Sequence, residues 1–159
     1  MRSLTLNLLI AVIWLLLSKT PSVSTFVIGF IIGLALLCMF KNVLPEESYT
    51  KRVFGFIRFC FIFTREFVIA NVDMLRIVLF ASNESLHPKF LILDVSDLHR
   101  WEILLLTQCI SLTPGSTSVQ IRENFETIII HALDAEDPAK VRDQINDTLR
   151  AAILEFSRK

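Results

Sequence analysis

The apolar positions of this chain begin in two long blocks. Between Arg2 and Lys19 runs SLTLNLLIAVIWLLLS, and between Lys19 and Lys41 runs TPSVSTFVIGFIIGLALLCMF, neither of which holds a charge. The pattern predicts a two-span transmembrane hairpin over residues 1–41 that turns at Lys19-Thr20-Pro21-Ser22. The first block is short against the roughly 20 residues a bilayer core asks for, but cations at both of its ends can reach the headgroups. A cleaved secretory leader competes, because Arg2, an apolar core and the small residues Ser22-Val23-Ser24 imitate one. The immediate return of a second apolar block favours the hairpin. Gly29 and Gly33 place two glycines on one face of the second helix, where another backbone can approach, either the first helix or a separate protein.

Residues 42–52 are polar, include Pro45 and read as a hydrated linker. Lys41, Lys51 and Arg52 gather at the end of the second block and favour the cytoplasmic side for it, and a hairpin then returns the N-terminus there too.

From residue 53 to residue 80 the pattern turns amphipathic. At about 100° per residue, Arg58, Arg65 and Arg76 fall within about 20° of one another, flanked by Glu66 and Asp73, while the remaining circumference is Phe, Ile, Val and Leu. A charged residue at mid-membrane costs about 2.5–3.5 kcal/mol. A helix lying along the membrane surface, with the three arginines as a stripe among the headgroups, avoids that cost and leaves its charges wet. A third span within a larger assembly is the alternative.

After residue 80 the periods shorten. FLILDVS predicts a strand, Asp97 an N-cap for a helix through LHRWEILLLTQCISL, and Thr113-Pro114-Gly115 a turn into the hairpin STSVQIR and FETIIIHAL, joined at Glu123-Asn124. Asp137-Pro138 opens a last helix whose buried stripe is Val141, Ile145, Leu149, Ala152, Ile153 and Phe156. Residues 81–159 thus form a small α+β domain of order β-α-β-β-α, with both helices on one face of the sheet.

Composition supports a membrane protein: 53% of residues are hydrophobic and the mean hydropathy is +0.56. The net charge of zero hides an asymmetry, since residues 1–80 hold eight Lys/Arg against four Asp/Glu and residues 81–159 eight against twelve. No basic patch points to nucleic acid. Cys38, Cys60 and Cys109 have no metal or disulfide spacing and read as buried thiols, and His87, His99 and His131 are too scattered to form a metal set. Gly115 is the only glycine beyond residue 80, which leaves no glycine-rich phosphate loop, and Asp134-Ala135-Glu136-Asp137 reads as a capping turn. No catalytic, metal or cofactor site is expected. Nor do the two apolar blocks contain an ionisable relay: Asn7 is their most polar interior side chain, and it exchanges no proton.

With these parts in order, the chain resembles the E-type subunit of the multisubunit monovalent cation/proton antiporters called Mrp, Mnh or Pha. The likeness runs over essentially the full length, through NLLIAVIWLLL, FVIGFIIGL, MLRIVLF, ISLTPGSTSV and HALDAEDP. The resemblance implies a bacterial inner-membrane complex in which antiporter-like large subunits and small membrane subunits exchange cytoplasmic cations for external protons. This chain would be an accessory, non-conducting subunit needed for assembly, with a cytoplasmic C-terminal domain, contacts to lipid and to the other subunits, and no enzymatic activity. Thr113-Pro114-Gly115 corresponds to the family's loop between helix and strand, and no ion-binding residue carries over. The competing readings are a membrane-anchored α+β enzyme or binding module and a self-sufficient homo-oligomeric channel.

Overall fold

A computed structural model describes residues 2–40, 48–81 and 86–158. Most of the expected linker, including Pro45, lies outside the described residues. The chain divides into two compact units, residues 1–54 and residues 55–158.

The first unit is built on a helical hairpin, α1 (Arg2–Leu17) and α2 (Val23–Met39). Ser22 ends the turn and caps α2, its hydroxyl accepting the Thr25 N–H at 3.2 Å. On α1, Ser3, Asn7 and Ala11 recur every fourth residue and are buried; on α2, Gly29, Gly33 and Leu37 do the same. The small residues let the two backbones close. A methyl group added to Gly29 would sit 2.8 Å from Trp14 Cβ and 3.1 Å from Ala11 Cα, and one added to Gly33 would run into Asn7 Oδ1. The remaining surface is apolar and open, with Leu16, Leu17, Val23 and Met39 all at least three-quarters exposed. At 16 and 17 residues the helices reach only about 25 Å. Among the described residues, no helix is both long and apolar enough to cross a membrane.

The helix expected over residues 53–80 is α3 (Ser48–Phe80), which starts five residues early because the polar run before Val53 carries no breaker after Pro45. Its first residues belong to the first unit and the rest to the second.

In the second unit, β1 (Lys89–Asp94), α4 (Arg100–Leu112), β2 (Ser116–Ile121) and β3 (Thr127–Ala132) are followed by α5 (Pro138–Ile145), a π-helical turn (Asn146–Arg150) and α6 (Ala151–Ser157). The β-α-β-β-α order is as expected. The sheet is antiparallel, ordered β1-β3-β2, so that the last strand made lies in the middle. Alternation does the burying: Leu91, Leu93, Ile128, Ile130 and Ala132 point into the core beneath the helices, while Phe90 and Ile92 face outward. A bulge between Ser118 and Gln120 breaks the β2 register. The Arg122–Glu126 turn closes the hairpin, with Phe125 at φ 58° and its ring under the Arg100 guanidinium.

Two expectations need correction. Asp97 does not cap α4, which begins at Arg100; the Glu102 carboxylate reaches back instead and accepts the His99 N–H at 2.7 Å. Asp97 takes the guanidinium of Arg150. The last helix is also not regular, because an extra residue in the turn at Asn146–Arg150 interrupts the ladder. Asp137 caps α5 as expected, accepting from Ala139 N at 3.0 Å.

Candidate functional site

One side of α3 belongs to the core of the α+β domain. Phe59 is buried there with Ile62 and Phe63 against it, and the Phe59 and Phe156 rings are 5.3 Å apart. Gly55 makes the approach possible, because a Cβ at that position would meet the Phe156 backbone at 3.0 Å. Sequence reasoning missed this glycine. Its signal is spacing: Gly55, Phe59, Ile62 and Glu66 follow one another at helical intervals.

The opposite side of α3 is also apolar, with Phe61, Leu75, Val78 and Leu79 each more than half exposed. The three arginines run along the border between the two sides, and each holds an acid: Arg58 with Glu155 at 2.9 Å, Arg65 with Glu66 at 2.6 Å, and Arg76 with Asp73 at 3.2 Å. The arginines are largely exposed. Glu66 is not, which corrects the expectation that every charge on this helix stays wet: the domain covers it, and Gln144 Nε2 lies 3.4 Å away.

Beside Glu66, α3 and the last helix border an open cleft of about 400 Å³. The second half of α3 forms one wall, with Glu66, Asp73 and Met74 on it, and the last helix forms the other with Val141, Gln144 and Thr148. Thr113, Pro114 and Gly115 close one end beside Asp134. The expected turn is therefore part of the cleft. Thr113 caps α4 through its own hydroxyl, which donates to the Ile110 carbonyl at 2.7 Å, and Gly115 at φ +94° accepts the Leu133 N–H at 2.8 Å. Nothing crowds the space where a Gly115 side chain would point, so only the backbone angle demands glycine. Gly115→Ala is expected to lower stability by about 1–2 kcal/mol, read as a reduced midpoint of thermal unfolding.

Gly29 and Gly33, by contrast, take no part in the cleft; the structure spends their open face on α1. Asn7, fully buried, donates to the Tyr49 hydroxyl at 2.9 Å and so ties the start of α3 to the hairpin. The Ser3-Asn7-Ala11 stripe was there to be read in the sequence as a partner for the glycines.

Cys109 packs in the core of the domain, where burial pushes its thiol up to about 11, so it stays protonated and unreactive near neutrality. Cys60, expected to be buried, is exposed on α3, because it falls outside the side that the domain covers. Among the described residues, no three His, Cys, Asp or Glu side chains gather as metal ligands.

A close-packed small-residue hairpin, a long helix apolar on two sides and a small α+β domain sharing that helix's core are the build expected of a subunit of a larger membrane assembly. The family comparison agrees. Residues 7–156 match the family model MNHE, described as Na+/H+ ion antiporter subunit, and the chain belongs to that family. It is 33% identical over 153 residues to the E-type subunit of the Na(+)/H(+) antiporter of Alkalihalophilus pseudofirmus, covering 96% of each chain. The E-type subunit from Bacillus subtilis gives the same identity and coverage. Among solved structures, a chain of the membrane-bound sulfane sulfur reductase, an archaeal respiratory membrane complex, superposes with a TM-score of 0.58 at 20% identity, covering 98% of each chain. That likeness shows a shared fold.

Proposed function

We propose that this chain is an accessory, non-conducting subunit of a Na+/H+ antiporter complex, required for the assembly or stability of the whole. One observation carries the reading. Within the two helices, over Ser3–Leu17 and Val23–Met39, there is no carboxylate, lysine, arginine or histidine, so neither helix has a titratable group to pass a proton or a charged one to hold a cation between aqueous phases. The relatives' names supply the cation and the antiport.

In this reading α1 and α2 form a multi-pass membrane hairpin in a bacterial inner membrane. Their reach of about 25 Å falls a few ångströms short of a typical hydrocarbon core, a mismatch that local thinning or neighbouring subunits absorb. The outer side of α3 rests at the acyl boundary, Arg58, Arg65 and Arg76 stand at headgroup level, and the α+β domain is cytoplasmic. The exposed apolar side of α3 and the border position of its arginines support this placement. The cations near the end of α2 support the orientation.

Removing residues 82–159 is the test. The amount of intact complex and the Na+/H+ exchange of everted vesicles should fall together, while the full chain reconstituted alone should carry no cation flux. Flux from the chain alone would refute the accessory role. Labelling of a cysteine placed beyond residue 120 by an impermeant reagent in intact cells would reverse the orientation.

A further inference from the structure

The cleft beside α3 has a chemical bias that an accessory role leaves unexplained. Three carboxylates, Glu66, Asp73 and Asp134, contribute to its lining, and among the described residues no lysine, arginine or histidine does. The groups that hold these acids do so from outside the lining and engage one oxygen each: the Arg65 guanidinium on Glu66 Oε1, the Arg76 guanidinium on Asp73 Oδ1, and the His87 backbone N–H on Asp134 Oδ1 at 3.3 Å. The second oxygens of Asp73 and Asp134 take no part in those bonds, while that of Glu66 accepts from Gln144 Nε2 at 3.4 Å. Between the acids the lining is largely apolar, with Met74 and Ile77 on α3 and Val141 and Ile145 on the last helix.

We propose that this cleft is the docking site for a helical segment of a neighbouring subunit, apolar on the side it presents and carrying a lysine or arginine into the carboxylates. The inference rests on the chain being a subunit of the antiporter complex. Shape and charge choose the occupant. From Glu66 to Ile77 the α3 wall runs about 17 Å, or three helical turns, which suits one short amphipathic helix. Methionine gives that wall an adaptable surface. A phosphate-bearing lipid headgroup would meet three carboxylates in the lining, with Arg65 and Arg76 behind them, whereas a basic side chain with an alkyl stem satisfies acids and apolar walls together. The irregular turn at Asn146–Arg150 helps to open the space, since Thr148 and Leu149 lie on the cleft wall within it.

Two variants of the full chain, expressed in the complex, test the proposal. One neutralises the acids (Glu66→Gln, Asp73→Asn, Asp134→Asn); the other fills the cleft (Ala70→Trp). Each should lower the fraction of tagged chain recovered with the other antiporter subunits in mild detergent by about tenfold, the scale for losing a desolvated charge pair or its socket. Circular dichroism of each purified chain keeps the result readable: should Ala70→Trp unfold, the neutralised variant decides. A photo-cross-linker on Thr148→Cys should attach to a basic, apolar segment of an antiporter subunit. Wild-type recovery of a folded variant overturns the proposal, as does a Thr148→Cys adduct to lipid alone. If the unaltered chain fails to co-purify with antiporter subunits, the functional reading falls with it.

Discussion

Replacing Gly29 by valine should separate the two helices of the hairpin. Even a single Cβ there would lie 3.1 Å from the Ala11 backbone and 2.8 Å from Trp14 Cβ, neither of which can turn away. Overpacking of this kind costs about 1–3 kcal/mol for ordinary core sites, and the top of that range is expected where the obstacle is main chain. Gly33→Ala offers an instructive contrast, because the atom in its way is the amide oxygen of Asn7, the end of a side chain. Truncating that obstacle should relieve the strain. Thermal unfolding in detergent should therefore show Gly29→Val as the more damaging change, and Asn7→Ala with Gly33→Ala as less damaging than the two losses added. Strict additivity would mean that the two residues do not oppose each other across the interface.

The second large effect is expected at Glu102, a fully buried carboxylate in the α+β domain. It accepts from the His99 N–H at 2.7 Å, from the Ser157 hydroxyl at 2.5 Å and from Arg158 at 3.1 Å, so one side chain holds the start of α4 and the end of α6 together. Glu102→Leu removes the acceptor for all of them, and a loss of about 2–3 kcal/mol follows from breaking a charge-assisted network centred on a buried carboxylate. For a unit of this size that is a fall of roughly 10–20 °C in unfolding midpoint. Glu102→Gln, which keeps an oxygen in place, should lose less.

Acid should act on the same group. Desolvation raises the Glu102 pKa, but the hydrogen bonds from Arg158, Ser157 and the His99 backbone, together with the Arg158 charge, outweigh it, and the carboxyl stands below its ordinary value. Asp94 is also lowered, chiefly by the Ser96 backbone N–H. A carboxylate depressed in the folded state stabilises it fully above the unfolded pKa, and that contribution is lost as pH falls through the folded value. Stability of the wild-type domain should therefore decline below the ordinary carboxylate pKa. In Glu102→Leu the decline should be shallower.

The parts of this fold that depend on periodicity were legible in the sequence. The stripe of the last helix, from Ile145 to Ile153, is buried as its spacing requires, and the strand alternation in FLILDVS and FETIIIHAL set the correct faces of the sheet. Contacts between distant segments were harder. Glu66 reads as a surface charge because nothing local reveals that residues near Gln144 cover it, and Gly55 reads as an interruption in an apolar helix until Phe156 lies against it. Asp97 has the chemistry of a cap, but a glutamate five residues on, tied to Arg158 at the far end of the domain, takes that task. The turn at Thr113-Pro114-Gly115 was located correctly from its composition. That it borders a cleft follows only from where α3 lies.

The bulge in β2 bears on what happens to a copy of this chain that has no complex to join. It leaves Val119 outside the ladder and more than half exposed at a sheet margin, and the kink it creates spoils the straight row of amides that a second sheet would need for pairing. That edge is thereby a poorer template for pairing between copies of this chain.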